Sequence, residues 1–208
     1  LSPAVASVST TGLLTGLTPG EARIVATAGL VADTADVRVL PTIAGVELEP
    51  GSARLQSIGE EIEFVARVVD PRGDPLDEEG VRWEVESTEV LTDLGDGRFR
   101  AKSEGVTVVT VSSVSDPSKT ALAQVVVEQT VASVTIIPAD TTFTSLGETA
   151  QFQAQAFDAN GNPIAGATFT WESGDSDVVS VNDSGELTAV GLGTTTVSAL
   201  SGDVTGSA

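Results

Sequence analysis

Apolar and polar residues alternate along much of the chain. In Ala150-Gln151-Phe152-Gln153-Ala154-Gln155-Ala156 the alternation is strict. Successive side chains of an extended strand point to opposite faces, so this segment is predicted to be a strand with Phe152 inward and its glutamines in water. Ile62, Phe64, Ala66 and Val68 form a second such row, with Glu61, Glu63 and Arg67 on the other face. Thr107, Val109 and Val111 predict a further strand, as do Thr195, Val197 and Ala199. Val125 with Val127, and Val37 with Val39, predict closing strands. Turn clusters separate these rows. Asp158-Ala-Asn-Gly-Asn-Pro163 and Asp70-Pro-Arg-Gly-Asp-Pro75 each offer a glycine for positive φ, and Asp96-Gly97 and Ser184-Gly185 mark tight hairpins. No apolar row repeats with a 3.6-residue period over ten or more positions, so the chain is expected to be all-β.

The pattern recurs. Shifted by 88 positions, the chain falls on itself without a gap. Pro50 meets Pro138, Gly59-Glu60 meets Gly147-Glu148, Phe64 meets Phe152, and Asp70, Gly73 and Pro75 meet Asp158, Gly161 and Pro163. Trp83-Glu84 meets Trp171-Glu172, Gly97 meets Gly185, and Gly105 meets Gly193. At an offset of 173, Val5-Ala6-Ser7-Val8 resembles Val178-Val179-Ser180-Val181, and Gly12, Leu14 and Gly20 meet Gly185, Leu187 and Gly193. Residues 1–41 are therefore expected to be the back half of a unit whose match begins at Pro3. Residues 42–130 read as a complete unit, and 131–208 as a unit lacking its final strand. About seven strands in each unit, with turns every 8–12 residues, suggest a β-sandwich of immunoglobulin type. The linkers Leu40-Pro41-Thr42 and Glu128-Gln129-Thr130 are short, and Pro41 stiffens one of them, so tandem sandwiches joined into a rod are expected.

Composition removes several alternatives. Thirty acidic residues against ten basic ones leave a formal net charge of −20, which would repel a nucleic-acid backbone. No apolar run approaches the length of a membrane span. With no Cys and no His, the chain has no disulfide, no thiolate nucleophile and none of the commonest general base and metal ligand. Each unit must be held by its core alone. The absence of any Met, and of a basic segment followed by an apolar one, reads as a processed product or an internal piece of something longer.

The residues resemble the group 2 bacterial immunoglobulin-like domains found in intimin- and invasin-type surface proteins. The last unit carries the pattern as Leu146-Gly147-Glu148, Phe152, Asp158-Ala-Asn-Gly-Asn-Pro163, Trp171-Glu172-Ser173, Val178-Val179-Ser180-Val181, Gly185-Glu-Leu-Thr-Ala189 and Gly193-Thr-Thr-Thr-Val197. The middle unit departs from it at Ser87-Thr88-Glu89 and in its turn at Asp70. The resemblance implies a tandem array on an exported bacterial or phage protein, acting as stalk, adhesin or accessory module.

Candidate chemistry is sparse. Asp77-Glu78-Glu79 and Asp175-Ser-Asp177 could be paired carboxylates of a hydrolase, but lie in turns of small sandwiches with little room for a cleft, and read as solvated loops. Asp158, Asn160 and Asn162 imitate the start of an EF-hand loop. Pro163-Ile164-Ala165-Gly166 then offers no closing Glu, and Arg72 replaces Asn160 in the sister copy, so this segment reads as a turn. No catalytic, cofactor-binding or metal-binding residue is assigned. Trp83 and Trp171 read as core plugs between sheets rather than a sugar-stacking platform, and Phe99 and Phe143 are the aromatics least clearly inward. The middle unit holds 18 acidic and 8 basic residues and the last 9 acidic and none basic, which reads as solubility and repulsion between copies, with docking on a cationic partner as the alternative.

A non-catalytic extracellular structural or adhesion protein is the function expected, with tandem repeats serving as a stalk or filament-forming element of a bacterial cell surface or virion. The alternative is a carbohydrate- or receptor-binding accessory module of a larger secreted enzyme or phage virion protein. Expected partners are other copies of the chain or adjoining modules, then a surface glycan or receptor. A last unit without its closing strand would leave an edge and an apolar groove able to accept a strand.

Overall fold

Strands form where the sequence alternates. The computed structural model describes residues 4–208, and Pro3 lies outside them. The head consists of two antiparallel hairpins, β1 (Ala6–Val8) with β2 (Leu14–Gly16) and β3 (Gly20–Ala28) with β4 (Val31–Val39). The middle copy supplies β5 (Gly45–Glu49), β6 (Ser52–Leu55), β7 (Glu61–Glu63), β8 (Val65–Val69), β9 (Val81–Val85), β10 (Leu91–Gly95), β11 (Arg98–Ala101), β12 (Gly105–Ser113) and β13 (Thr120–Val127). The last copy supplies β14 (Ser133–Ile137), β15 (Thr149–Gln151), β16 (Gln153–Phe157), β17 (Thr170–Ser173), β18 (Val179–Val181), β19 (Glu186–Ala189), β20 (Val197–Ser201) and β21 (Val204–Ser207). The described residues contain no helix.

The 88-residue repeat holds for most strands. β10-β11-β7 is matched by β18-β19-β15, and β5-β8 by β14-β16. The sheet β6-β13-β12-β9 is matched only in part, by β21-β20-β17. In the middle copy Gln124–Val127 of β13 run parallel to Ser52–Leu55 of β6. Residues 140–143, the counterparts of β6, are not strand. β21 runs antiparallel to β20 from Ser201↔Val204 to Ser198↔Ser207 after a two-residue connection, Gly202-Asp203. It takes the place of the first half of β13, and nothing in the last copy takes the place of Gln124–Val127, which pair with β6 in the middle copy.

The chain divides into two compact units, and the division does not follow the repeat. The first comprises Leu1–Leu48, Ala66–Arg82 and Val111–Ala121. Ala6, Ala22, Val68 and Val111 are buried in it, while Leu13, Leu17 and Leu30 of the head hairpins are exposed. The second comprises Glu49–Val65, Trp83–Thr110 and Leu122–Ala208. Here equivalent positions are buried in both copies: Phe64 with Phe152, Phe99 with Leu187, and Val109 with Val197. This is the inward row that the alternation predicts, and burying each such side chain contributes roughly 1.5–3 kcal/mol.

The two tryptophans are neither sealed in nor open to water. Both are half-buried. Trp83 lies 6.0 Å from Phe99 at 70° and 6.5 Å from Phe64 at 39°, so the indole packs against the core aromatics while part of it stays exposed. Phe99 is fully buried, which settles its direction as inward. Because Leu187 fills the same place in the other copy, Phe99→Leu is expected to fold. It should lose about 1.5 kcal/mol by urea unfolding, through two edge-on aromatic contacts and a small void.

Candidate functional site

At the Asp158 turn several polar side chains converge on one buried carboxylate. Asp158 is 2% exposed. Its local fold follows from residue type: Asp accepts hydrogen bonds from main-chain amides two and four positions on, and Gly161 takes φ +79°. Oδ1 accepts Asn160 N at 3.0 Å and Asn162 N at 2.8 Å. Oδ2 accepts Ile58 N and Gln129 Nε2, each at 2.9 Å. The turn answers in kind, since Asn160 Nδ2 and Asn162 Nδ2 donate to Ile58 O at 2.9 and 2.8 Å. All these residues lie in the second unit, so the contact ties the first copy's 56–58 loop to the second copy's 158–162 turn within one compact body.

The linker between those copies is bonded along its length. Glu128 N donates to Leu55 O, Thr130 N to Gln56 O, and Gln129 N to Glu104 Oε1, at 2.9, 3.0 and 3.0 Å. Arg54 pairs with Glu128 on the surface. The sister turn is simpler. Arg72 N and Asp74 N meet Asp70 Oδ1 at 2.8 and 3.0 Å, and no hydrogen bond to Asp70 Oδ2 is made among the described residues. Pro41 stands where the other joint has Gln129.

Burial alone would raise the Asp158 carboxyl above its ordinary 3.8. The N–H donors of Gln129, Asn162 and Ile58 overturn that and hold it at about 2. A depressed folded-state value stabilises the fold above the unfolded value and is lost as pH falls. The intact chain should therefore lose about 2 kcal/mol between about pH 4 and pH 2 that Asp158→Asn does not lose. Urea unfolding of both proteins across that range measures the difference.

This cluster is the segment that imitates a calcium loop in sequence. Its oxygens face N–H groups, which would repel a cation. No three His, Cys, Asp or Glu side chains converge to hold a metal among the described residues. Asp175 Oδ1 accepts Asp177 N at 3.0 Å, a local turn bond. Asp77 and Glu78 are exposed and Glu79 half-buried.

A second feature is a groove of about 480 Å³ in the last copy, lined by Phe143, Phe152, Val178, Leu187, Val197 and Ala208. The matching place in the middle copy belongs to Val125 and Val127 of β13, 0% and 2% exposed. Phe143, undecided from sequence, is half-buried on the groove wall.

Residues 130–208 match the model of the bacterial Ig-like domain (group 2). No curated protein matches the chain. Among solved structures, it is similar to domains 4–9 of the surface layer protein SbsC at 23% identity and TM-score 0.39, covering 100% of this chain and 37% of that one. The Escherichia coli adhesin FdeC is similar at 17% identity and TM-score 0.42, over 89% of this chain and 70% of that one. Invasin, a bacterial integrin-binding protein, is similar at 21% identity and TM-score 0.37, over 89% and 43%. The chain thus spans little more than a third of the SbsC segment it matches. Residues 130–208 are a bacterial Ig-like domain of group 2, and the middle copy repeats its strand plan 88 positions earlier.

Proposed function

We propose that this chain is a non-catalytic structural element of a bacterial cell surface, a run of Ig-like copies that carries load and spacing between other parts of a longer protein. The observation behind this reading is the joint at Asp158. A carboxylate, two carboxamides and a glutamine bind one copy to the next, and the linker between them is bonded at three consecutive residues. A joint fixed in this way suits an element that transmits load from one copy to the next. The high acidic charge suits an exported array whose neighbours must stay apart. Pulling single molecules from the two ends tests the reading. The second unit should break in discrete events at forces that fall when Asp158 is changed to Ala. A chain that extends smoothly, like an unfolded tether, would contradict it. The carbohydrate-binding alternative is tested by a glycan array, on which the intact chain should give no saturable signal.

A further inference from the structure

The loop that receives the Asp158 turn recurs 88 positions later, where no turn docks on it among the described residues. Glu60 Oε2 accepts Gln56 N and Ser57 N at 2.7 and 3.2 Å, and Glu148 Oε2 accepts Thr144 N and Ser145 N at 2.8 and 3.2 Å. Gly59 N donates to Ala101 O at 2.9 Å, and Gly147 N to Ala189 O at 2.8 Å. The two glycines take φ of +84° and +81°. The same internal bonds therefore fix the same loop twice. Ile58 gives both its N–H and its C=O to the turn. At Leu146 neither group is hydrogen-bonded among the described residues, and the side chain is 63% exposed.

We propose that the Thr144–Leu146 loop is a docking surface for the Asp-x-Asn-Gly-Asn turn of a further Ig-like unit of this repeat. The proposal rests on the array reading above. The occupant is set by chemistry. Leu146 N–H calls for a carboxylate oxygen, and Leu146 C=O for carboxamide donors, as at Ile58. The Asp70 turn does not meet that need, because Arg72 and Asp74 stand in place of the two asparagines. This rules against a second chain docking through its middle copy. The loop also borders the groove whose counterpart holds Val125 and Val127, the residues just before the Gln129 linker. A unit arriving behind a Val-x-Val strand would fill the groove and reach Leu146 together, continuing the interface already formed at Ile58.

Register allows a direct test. Ala208 exchanges both backbone hydrogen bonds with Val197. Counting along the middle copy from Ser113 N to Lys119 O places Ala123 opposite Val109, the counterpart of Val197. Residues 124–208, added again after Ala208, should therefore continue the repeat. In this extended chain the Leu146 amide should exchange about 30-fold more slowly, or slower still, than in the original. That protection should vanish on Asp158→Ala in the added copy only. Unchanged exchange at Leu146, with the added copy's strands protected, would overturn the docking surface yet leave the array reading standing. Should the added copy not fold, a cyclic peptide of residues 157–163 serves as probe on the original chain. At about 10 mM, a concentration suited to millimolar binding, it should shift the Ser145 and Leu146 amides and spare Ile58. No shift at Leu146 would overturn the proposal.

Discussion

Replacing Gly185 with alanine is expected to destabilise the last copy by about 3–4 kcal/mol, lowering its melting temperature by about 15 °C or more. Two effects add. Gly185 has φ +78°, a region in which a Cβ is strained. An added Cβ would also sit 2.6 Å from Phe152 O and 2.8 Å from Trp171 Cζ2. The half-buried indole can move outward, but the carbonyl cannot, since Phe152 N already donates to Gly185 O at 2.8 Å. Gly97 meets the same obstacles, Phe64 O and Trp83, in the middle copy. Gly161→Ala is the control: its φ is +79°, yet nothing lies within 4 Å of the added atom. It should cost only about 1 kcal/mol. Equal effects of Gly161→Ala and Gly185→Ala in thermal unfolding would show that the indole does not close over this glycine.

Removing the Asp158 carboxylate should cost about as much. Asp158→Ala leaves Ile58 N, Gln129 Nε2, Asn160 N and Asn162 N without their acceptor at a partly buried joint. A loss of about 3–4 kcal/mol follows. Amide exchange should rise both at residues 56–58 and at 158–162, because one group supports both. Asp70→Ala, which removes two exposed local bonds, should cost about 1 kcal/mol and leave residues 56–58 unchanged. If both substitutions cost the same, the contact between copies adds nothing to the turn's own stability.

Much of this architecture was readable from the chain compared with itself. Phe64 and Phe152, or Val109 and Val197, occupy the same buried places because alternation and spacing dictate them locally. The half-burial of Trp83 was not readable, since it depends on how closely Gly97 lets the indole approach. Nor was β21, because the two-residue Gly202-Asp203 connection replaces a longer one in the middle copy. The 158–162 turn was recognised as a turn, but its role was hidden: its partners Ile58 and Gln129 lie 100 and 29 positions away. One signal was present. Gln129, Asn160 and Asn162 become Pro41, Arg72 and Asp74 in the sister copy, three changes together at positions that meet in space.

The joint between copies stands or falls with one group, and NMR titration of the Asp158 carboxyl addresses it directly. The expected midpoint is about 2, with the Ile58 amide shifting at the same pH. A midpoint near 4, or an Ile58 amide indifferent to that titration, would contradict it.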